Sequence, residues 1–142
     1  MRFYRETWAE VHLDALADNI HALGQHHRKS LIAIIKANAY GHGDVMIAKQ
    51  ALQSGAQLLA VSSLDEALSL RYKGIDGEIL ILGHVAPKDL AVVKRYNLIL
   101  TVTSLEWARS VLTHHPEGLR THLKIDTGMN RMGLKSLQEA QE

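Results

Sequence analysis

Five short runs of leucine, isoleucine and valine, beginning at residues 31, 58, 78, 98 and 121, set the frame for this chain. Leu31–Ala37, Leu58–Ser62, Glu78–Gly83, Leu98–Val102 and Thr121–Ile125 are nearly continuous in apolar residues rather than alternating. Runs of that kind describe strands buried on both faces, as in a parallel sheet. Helical periodicity fills the gaps. An opening helix is expected over Asp14–His26. Asp44–Ser54 places Val45, Ile47, Ala48, Ala51 and Leu52 on one side, with Gly55 as its C-terminal cap. Ser63-Leu64-Asp65-Glu66 has the Ser-x-x-Glu form of a capping box and opens a helix running to Gly74. Pro87 suits the first turn of the next helix, to about Tyr96, and Ser104 caps another, to about Leu112.

One strand and one helix per step is the cadence of repeated βα units. Right-handed crossovers would bring all five strand carboxyl ends, hence Lys36, Gly83-His84, Ser104 and Arg131, to one rim. Five such units make either a small doubly wound sheet or the first part of an eight-stranded (β/α)8 barrel. A complete barrel takes about 250 residues, and this sequence has 142. It ends within the helical pattern of Leu137–Glu142, without a stop signal. The expectation is therefore the N-terminal portion of a TIM-type α/β barrel, truncated before closure.

Composition removes several classes of function. A net charge of +1 gives no reason to expect nucleic acid or an anionic membrane as partner. No apolar run approaches the roughly 20 residues that span a bilayer. The opening Met1–Trp8 shows no apolar stretch of a secretory signal. The absence of cysteine excludes disulfides, zinc thiolates and thiol catalysis. A cytoplasmic protein is the expectation. The nine histidines do not suggest metal: His26-His27 and His114-His115 are adjacent pairs at helix ends, with no carboxylate at ligand spacing. No phosphate-binding glycine loop of the dinucleotide or P-loop kind is present.

Two segments carry chemistry. In Lys36-Ala37-Asn38-Ala39-Tyr40-Gly41-His42-Gly43 a lysine stands at the carboxyl end of a strand, before a glycine-rich turn. Burial there would disfavour the ammonium and free the amine to attack a carbonyl, the chemistry of a Schiff-base lysine. Gly41 and Gly43 permit positive φ, Tyr40 supplies a phenol, and the turn feeds a helix N-terminus suited to an anionic group. The simpler alternative is a solvated lysine in an ordinary loop. In the second segment, Lys124 and Arg131 flank Asp126. Either these form a local ion pair, or Arg131 stands on the rim as a planar fork for a carboxylate. Lys124, read as lying within the strand, needs a partner or a modification. His42 and His84 are expected to line the rim, and Trp8 and Trp107 to be structural.

With Thr7-Trp8-Ala9-Glu10-Val11, Leu13-Asp14-Ala15-Leu16 and Lys124-Ile125-Asp126-Thr127-Gly128-Met129-Asn130-Arg131-Met132-Gly133, these segments resemble bacterial alanine racemases in order and spacing. The resemblance implies a homodimer whose subunits join an N-terminal barrel to a C-terminal β domain, interconverting L- and D-alanine for cell-wall synthesis. Residues 1–142 would be part of the barrel domain, with the β domain absent. Lys36 would hold pyridoxal 5'-phosphate as an aldimine and act as the base on one face of the substrate. Tyr40 would bind the cofactor phosphate. Arg131 would contact the cofactor's phenolic oxygen and the substrate carboxylate, and Lys124 would be a carbamylated lysine paired with that arginine. The second base would be a tyrosine of the partner subunit, so the chain alone would not racemise. Two rival readings stand beside this: a non-enzymatic pyridoxal-phosphate carrier on a single barrel, and an inert half barrel that pairs with itself through open strand edges.

Overall fold

Strand runs and helical periods alternate in space as they do in sequence. The computed structural model describes residues 7–141; most of the segment read as lacking a secretory signal, and Glu142, lie outside them. The strands are β1 (Leu31–Ile34), β2 (Ala56–Val61), β3 (Ile79–Ile81), β4 (Ile99–Val102) and β5 (Arg120–Leu123). They form one parallel sheet in the order β1-β2-β3-β4-β5. Among the described residues β1 does not pair with β5, so the sheet is not closed.

The helices are α1 (Leu13–His27), α2 (Lys36–Tyr40), α3 (Asp44–Gln53), α4 (Leu64–Tyr72), α5 (Leu90–Arg95), α6 (Leu105–Leu112) and α7 (Leu137–Gln141); a 3-10 turn at Pro87–Asp89 leads into α5. The caps expected from sequence are in place. Ser63 Oγ accepts the Glu66 N–H at 3.3 Å, and Ser104 Oγ accepts the Trp107 N–H at 3.1 Å. Gly55, just beyond α3, has φ 102°.

The two faces of the sheet have different fates. Leu59, Val61, Ile79, Ile81 and Leu100 pack with Ala48, Ala51, Ala67, Leu70, Val93 and Trp107 of the helices. The opposite face carries Leu58, Ala60, Leu80 and Ile99, which cluster with one another. All the helices that cover the sheet thus share one side, and the bare side is the one a barrel turns inward. Trp107 is structural as expected: it is buried, and its Nε1–H donates to the Val85 carbonyl at 2.7 Å. Trp8, expected to be structural, is 77% exposed.

Burial of every strand on both faces is not observed. It holds for β3 and most of β2 and β4, whereas β1 alternates and β5 is mostly exposed. The register pairs Ile32 with Leu58 and Ile34 with Ala60, which places both isoleucines on the bare face of an edge strand, and each is nearly half exposed. Continuous apolar runs reflect the neighbours a strand is built for, and β1 and β5 each have one neighbour here.

Candidate active site

The chain leaves β1 through Ile35, which is buried and donates its N–H to the Ala60 carbonyl at 2.8 Å. It then winds the wrong way. Ala37, Asn38 and Ala39 have φ/ψ of 51/52°, 55/45° and 51/48°, and Tyr40 follows at φ 54°. This α2 is a single left-handed helical turn built from non-glycine residues. Such a backbone costs roughly 1–2 kcal/mol per residue, because Cβ crowds the carbonyl oxygen. Only Asn38 belongs to a residue type that tolerates it.

Hydrogen bonds offset the strain. The Ala39 N–H donates to Ile35 O at 2.9 Å, the Gly41 N–H to Asn38 O at 3.0 Å, and the Gly43 N–H to the same carbonyl at 3.0 Å. Asn38 Oδ1 accepts the Asp44 N–H at 2.9 Å, fastening the turn to the start of α3. The Ala37 N–H donates to Glu66 Oε1 at 2.8 Å. Gly41 and Gly43, at φ 91° and 96°, let the chain escape into α3. Strain held this firmly beside a reactive group is characteristic of functional sites. The first turn of α3, however, already holds an anion: Asp44 lies there, paired with Lys73 at 3.0 Å.

Lys36 stands at the head of the turn, half-buried, with Nζ 5.9 Å from the centre of the Tyr40 ring. The deep burial expected of it is absent because β1 is bare on its inner face. Tyr40 is 60% exposed and faces a separate cleft of about 400 Å3, with His42 and residues of the segment preceding α1. His42 lines that cleft, its Nδ1 2.8 Å from Ala39 O.

The second segment folds back over the sheet. After β5 the Asp126 N–H donates to Leu134 O at 2.8 Å, the Leu134 N–H to Lys124 O at 2.8 Å, and the Gly133 N–H to Thr103 O at 2.8 Å. Asp126 is neither ion partner considered for it. Its Oδ1 accepts the N–H groups of Asn130 at 3.0 Å and Gly128 at 3.1 Å, and these bonds hold the carboxyl below the ordinary carboxylate range. Its Oδ2 is buried without a partner. Lys124 lies one residue past β5, half-buried, and a Cβ on Gly133 would fall 2.9 Å from its Cγ. Lys124, expected within the strand, thus stands one residue beyond the strand's end.

This fold-back brings Arg131 and Met132 against Lys36, Ser62, Leu82 and Gly83 around a cleft of about 340 Å3. That volume falls within the range of about 300–1,000 Å3 typical of small-molecule sites. In a flat sheet the ends of β1 and β5 would stand roughly 19 Å apart, at about 4.8 Å per strand. Curvature of the sheet and the tuck of the loop bring them to one cleft. His84 lies beside it, in a cleft of about 310 Å3 shared with Thr103, Ser104, Asn130, Arg131 and Lys135. The structure therefore joins Lys36 with Arg131, sets Tyr40 under the lysine but facing away, and leaves Lys124 outside the shared lining.

Glu66 is the residue that sequence reasoning missed. Its capping role was visible, but nothing in Ser-x-x-Glu signals that the carboxylate reaches the end of another strand.

Comparison with known proteins identifies the family. Residues 11–142 match the family model described as alanine racemase, N-terminal domain. Over 98% of its length the chain is 49% identical to alanine racemase 1 of Bacillus subtilis, and over 96% it is 48% identical to the alanine racemase of Geobacillus stearothermophilus. It spans 36% of each of those relatives. Among solved structures, alanine racemase from Bacillus anthracis with bound L-Ala-P superposes with a TM-score of 0.87 at 39% identity, covering 99% of this chain and 38% of that one. A histidine racemase from Leuconostoc mesenteroides superposes at 0.81 and 29% identity, covering 90% and 36%.

Proposed function

The chain belongs to the alanine racemase N-terminal domain family, and from that premise we propose that it is the lysine-bearing part of a pyridoxal-phosphate amino-acid racemase acting on alanine. The observation that carries the reading is the convergence of Lys36 and Arg131 on one cleft from opposite edges of the sheet. The donor set of the cleft suits the cofactor: a primary amine for its aldehyde, and a guanidinium for its phenolic oxygen and the substrate carboxylate. Tyr40, whose phenol would take the phosphate, faces the neighbouring cleft and would have to turn toward the amine. When bound, the cofactor supplies an electron sink that stabilises negative charge at the substrate Cα.

The chain's own groups do the rest. The Lys36 amine takes the proton from Cα on its face and returns it there. Arg131 fixes the carboxylate with a bidentate fork, which lysine could not do. Lys124, if carbamylated, would present an anion to that guanidinium. Among the described residues lining the cleft, Lys36 supplies the one primary amine. Inversion needs a second group on the opposite face, which we assign to a tyrosine of a partner subunit in a homodimer. The names of the relatives support alanine as substrate; D-alanine for the cell wall as product, and a cytoplasmic location, belong to the proposal. No helix of the described residues is long and apolar enough to cross a membrane.

The test is α-proton exchange in D2O. With pyridoxal phosphate present, the chain should exchange the Cα proton of one alanine enantiomer faster than free cofactor does, without inverting it. Bound cofactor with no exchange would instead favour a non-enzymatic carrier. Equal exchange of both enantiomers would contradict a single resident base.

A second reading concerns how the chain behaves by itself. Ile32 and Ile34 at one sheet edge, and Leu123 at the other, are nearly half exposed. Unpaired edges of that kind template pairing, so sedimentation should find concentration-dependent self-association. A monomer at all concentrations removes this reading.

A further inference from the structure

We propose that Glu66 is a positioning residue for Lys36, its carboxylate tying the ends of β1 and β2 together and holding the left-handed turn that aims the amine. The inference rests on the assignment of Lys36 made above. In an ordinary capping box the third helical residue returns its side chain to the backbone N–H of the cap. Glu66 reaches further. Its Oε2 accepts the Ser62 N–H at 2.7 Å and the Ser62 hydroxyl at 2.8 Å, while Oε1 accepts the Ala37 N–H at 2.8 Å.

The two anchor points are both informative. Ala37 follows Lys36 directly and is the first left-handed residue of the turn. Ser62 lines the same cleft as Lys36. One carboxylate therefore fixes the residue after the amine against the wall facing it. The reach requires two acceptor oxygens. An amide in its place turns an N–H2 toward one of the two backbone N–H donors, and that donor loses its acceptor. Burial raises the Glu66 pKa, but the bonds from Ala37, Ser62 and Ser63 outweigh it and hold the carboxyl below its ordinary value, as expected of a committed acceptor.

The turn's own chemistry supplies a rescue test. If Glu66 works by holding a strained backbone, removing the strain should replace it. Glycine takes positive φ without the Cβ penalty, so Ala37→Gly relaxes the first left-handed position.

The experiment uses the full chain, pyridoxal phosphate, borohydride reduction and peptide mapping, with amide hydrogen exchange in parallel. In Glu66→Gln, loss of a backbone acceptor should speed exchange at Ala37 or Ser62, and slow adduct formation at Lys36, each by about tenfold. The buried Ile75 amide, bonded to Leu70 O, should keep its exchange rate. Glu66→Gln/Ala37→Gly should recover most of the trapping rate. The proposal is overturned if Glu66→Gln traps cofactor at Lys36 as fast as the parent, if Ile75 exchange accelerates equally, or if Ala37→Gly gives no rescue. If the parent chain itself traps nothing at Lys36, the cofactor assignment fails. The exchange rates of Ala37 and Ser62 then decide the role of Glu66 by themselves.

Discussion

Lys36→Ala abolishes enantiomer-specific α-proton exchange, with a fall of about 10²–10⁴-fold, the usual contribution of a positioned proton carrier. The size of the effect follows from the cleft, where no other lining side chain among the described residues can replace the amine. Lys36→Arg separates charge from chemistry. It keeps a cation near the Tyr40 ring, but a guanidinium neither gives up its proton at neutral pH nor serves as the amine nucleophile. It should be as inactive as alanine. Both variants should melt close to the parent, because Lys36 is half-buried and the turn is held by backbone groups and by Glu66. NMR of alanine in D2O reads the exchange, and circular dichroism reads the fold. Exchange by Lys36→Ala at the parent rate would remove the lysine from the mechanism.

Gly83→Ala is expected to have the largest effect on stability. A Cβ at that position would sit 2.3 Å from the Ser62 carbonyl oxygen, a backbone atom with no side-chain freedom to yield. The ends of β2 and β3 are locked at this level, since the Leu82 N–H donates to Val61 O at 2.8 Å. The strands must part or the ladder must break, for a loss of about 2–3 kcal/mol. That corresponds to roughly 6–10 °C in the melting midpoint for a domain of this size. Gly74→Ala is the control. Gly74 has φ 78° and open space around the added methyl, so it should lose about 1 kcal/mol through backbone conformation alone. Because Gly83 also lines the Lys36 cleft, its alanine variant should lose cofactor trapping along with stability. Equal midpoints for the two variants would mean that β2 and β3 part freely.

Much of the architecture was legible because it is periodic. The five apolar runs and the Ser63 and Ser104 caps are local patterns, and local patterns predicted elements to within a few residues. The handedness of α2 is not local. Ala37-Asn38-Ala39-Tyr40 reads as a plain turn, and its contacts include Glu66, 29 residues away, together with the link from Asn38 to Asp44. The exposure of β1 was illegible for a related reason: Ile32 and Ile34 are coded for burial, and burial depends on a neighbour. Asp126 looked like an ion partner for Lys124 or Arg131, yet it holds a turn through backbone N–H groups. The motif shows the residue types, while the duty of Asp126 is set by backbone geometry that its sequence neighbours do not reveal.

The most direct test of the central claim is the site of covalent capture. The chain is mixed with pyridoxal phosphate, reduced with borohydride, digested and mapped by mass spectrometry. A single adduct on Lys36, lost in Lys36→Ala and not transferred to Lys124 or another lysine, is the predicted result. Adducts scattered over many lysines, or none, would contradict the claim that this fold already shapes a cofactor site around Lys36.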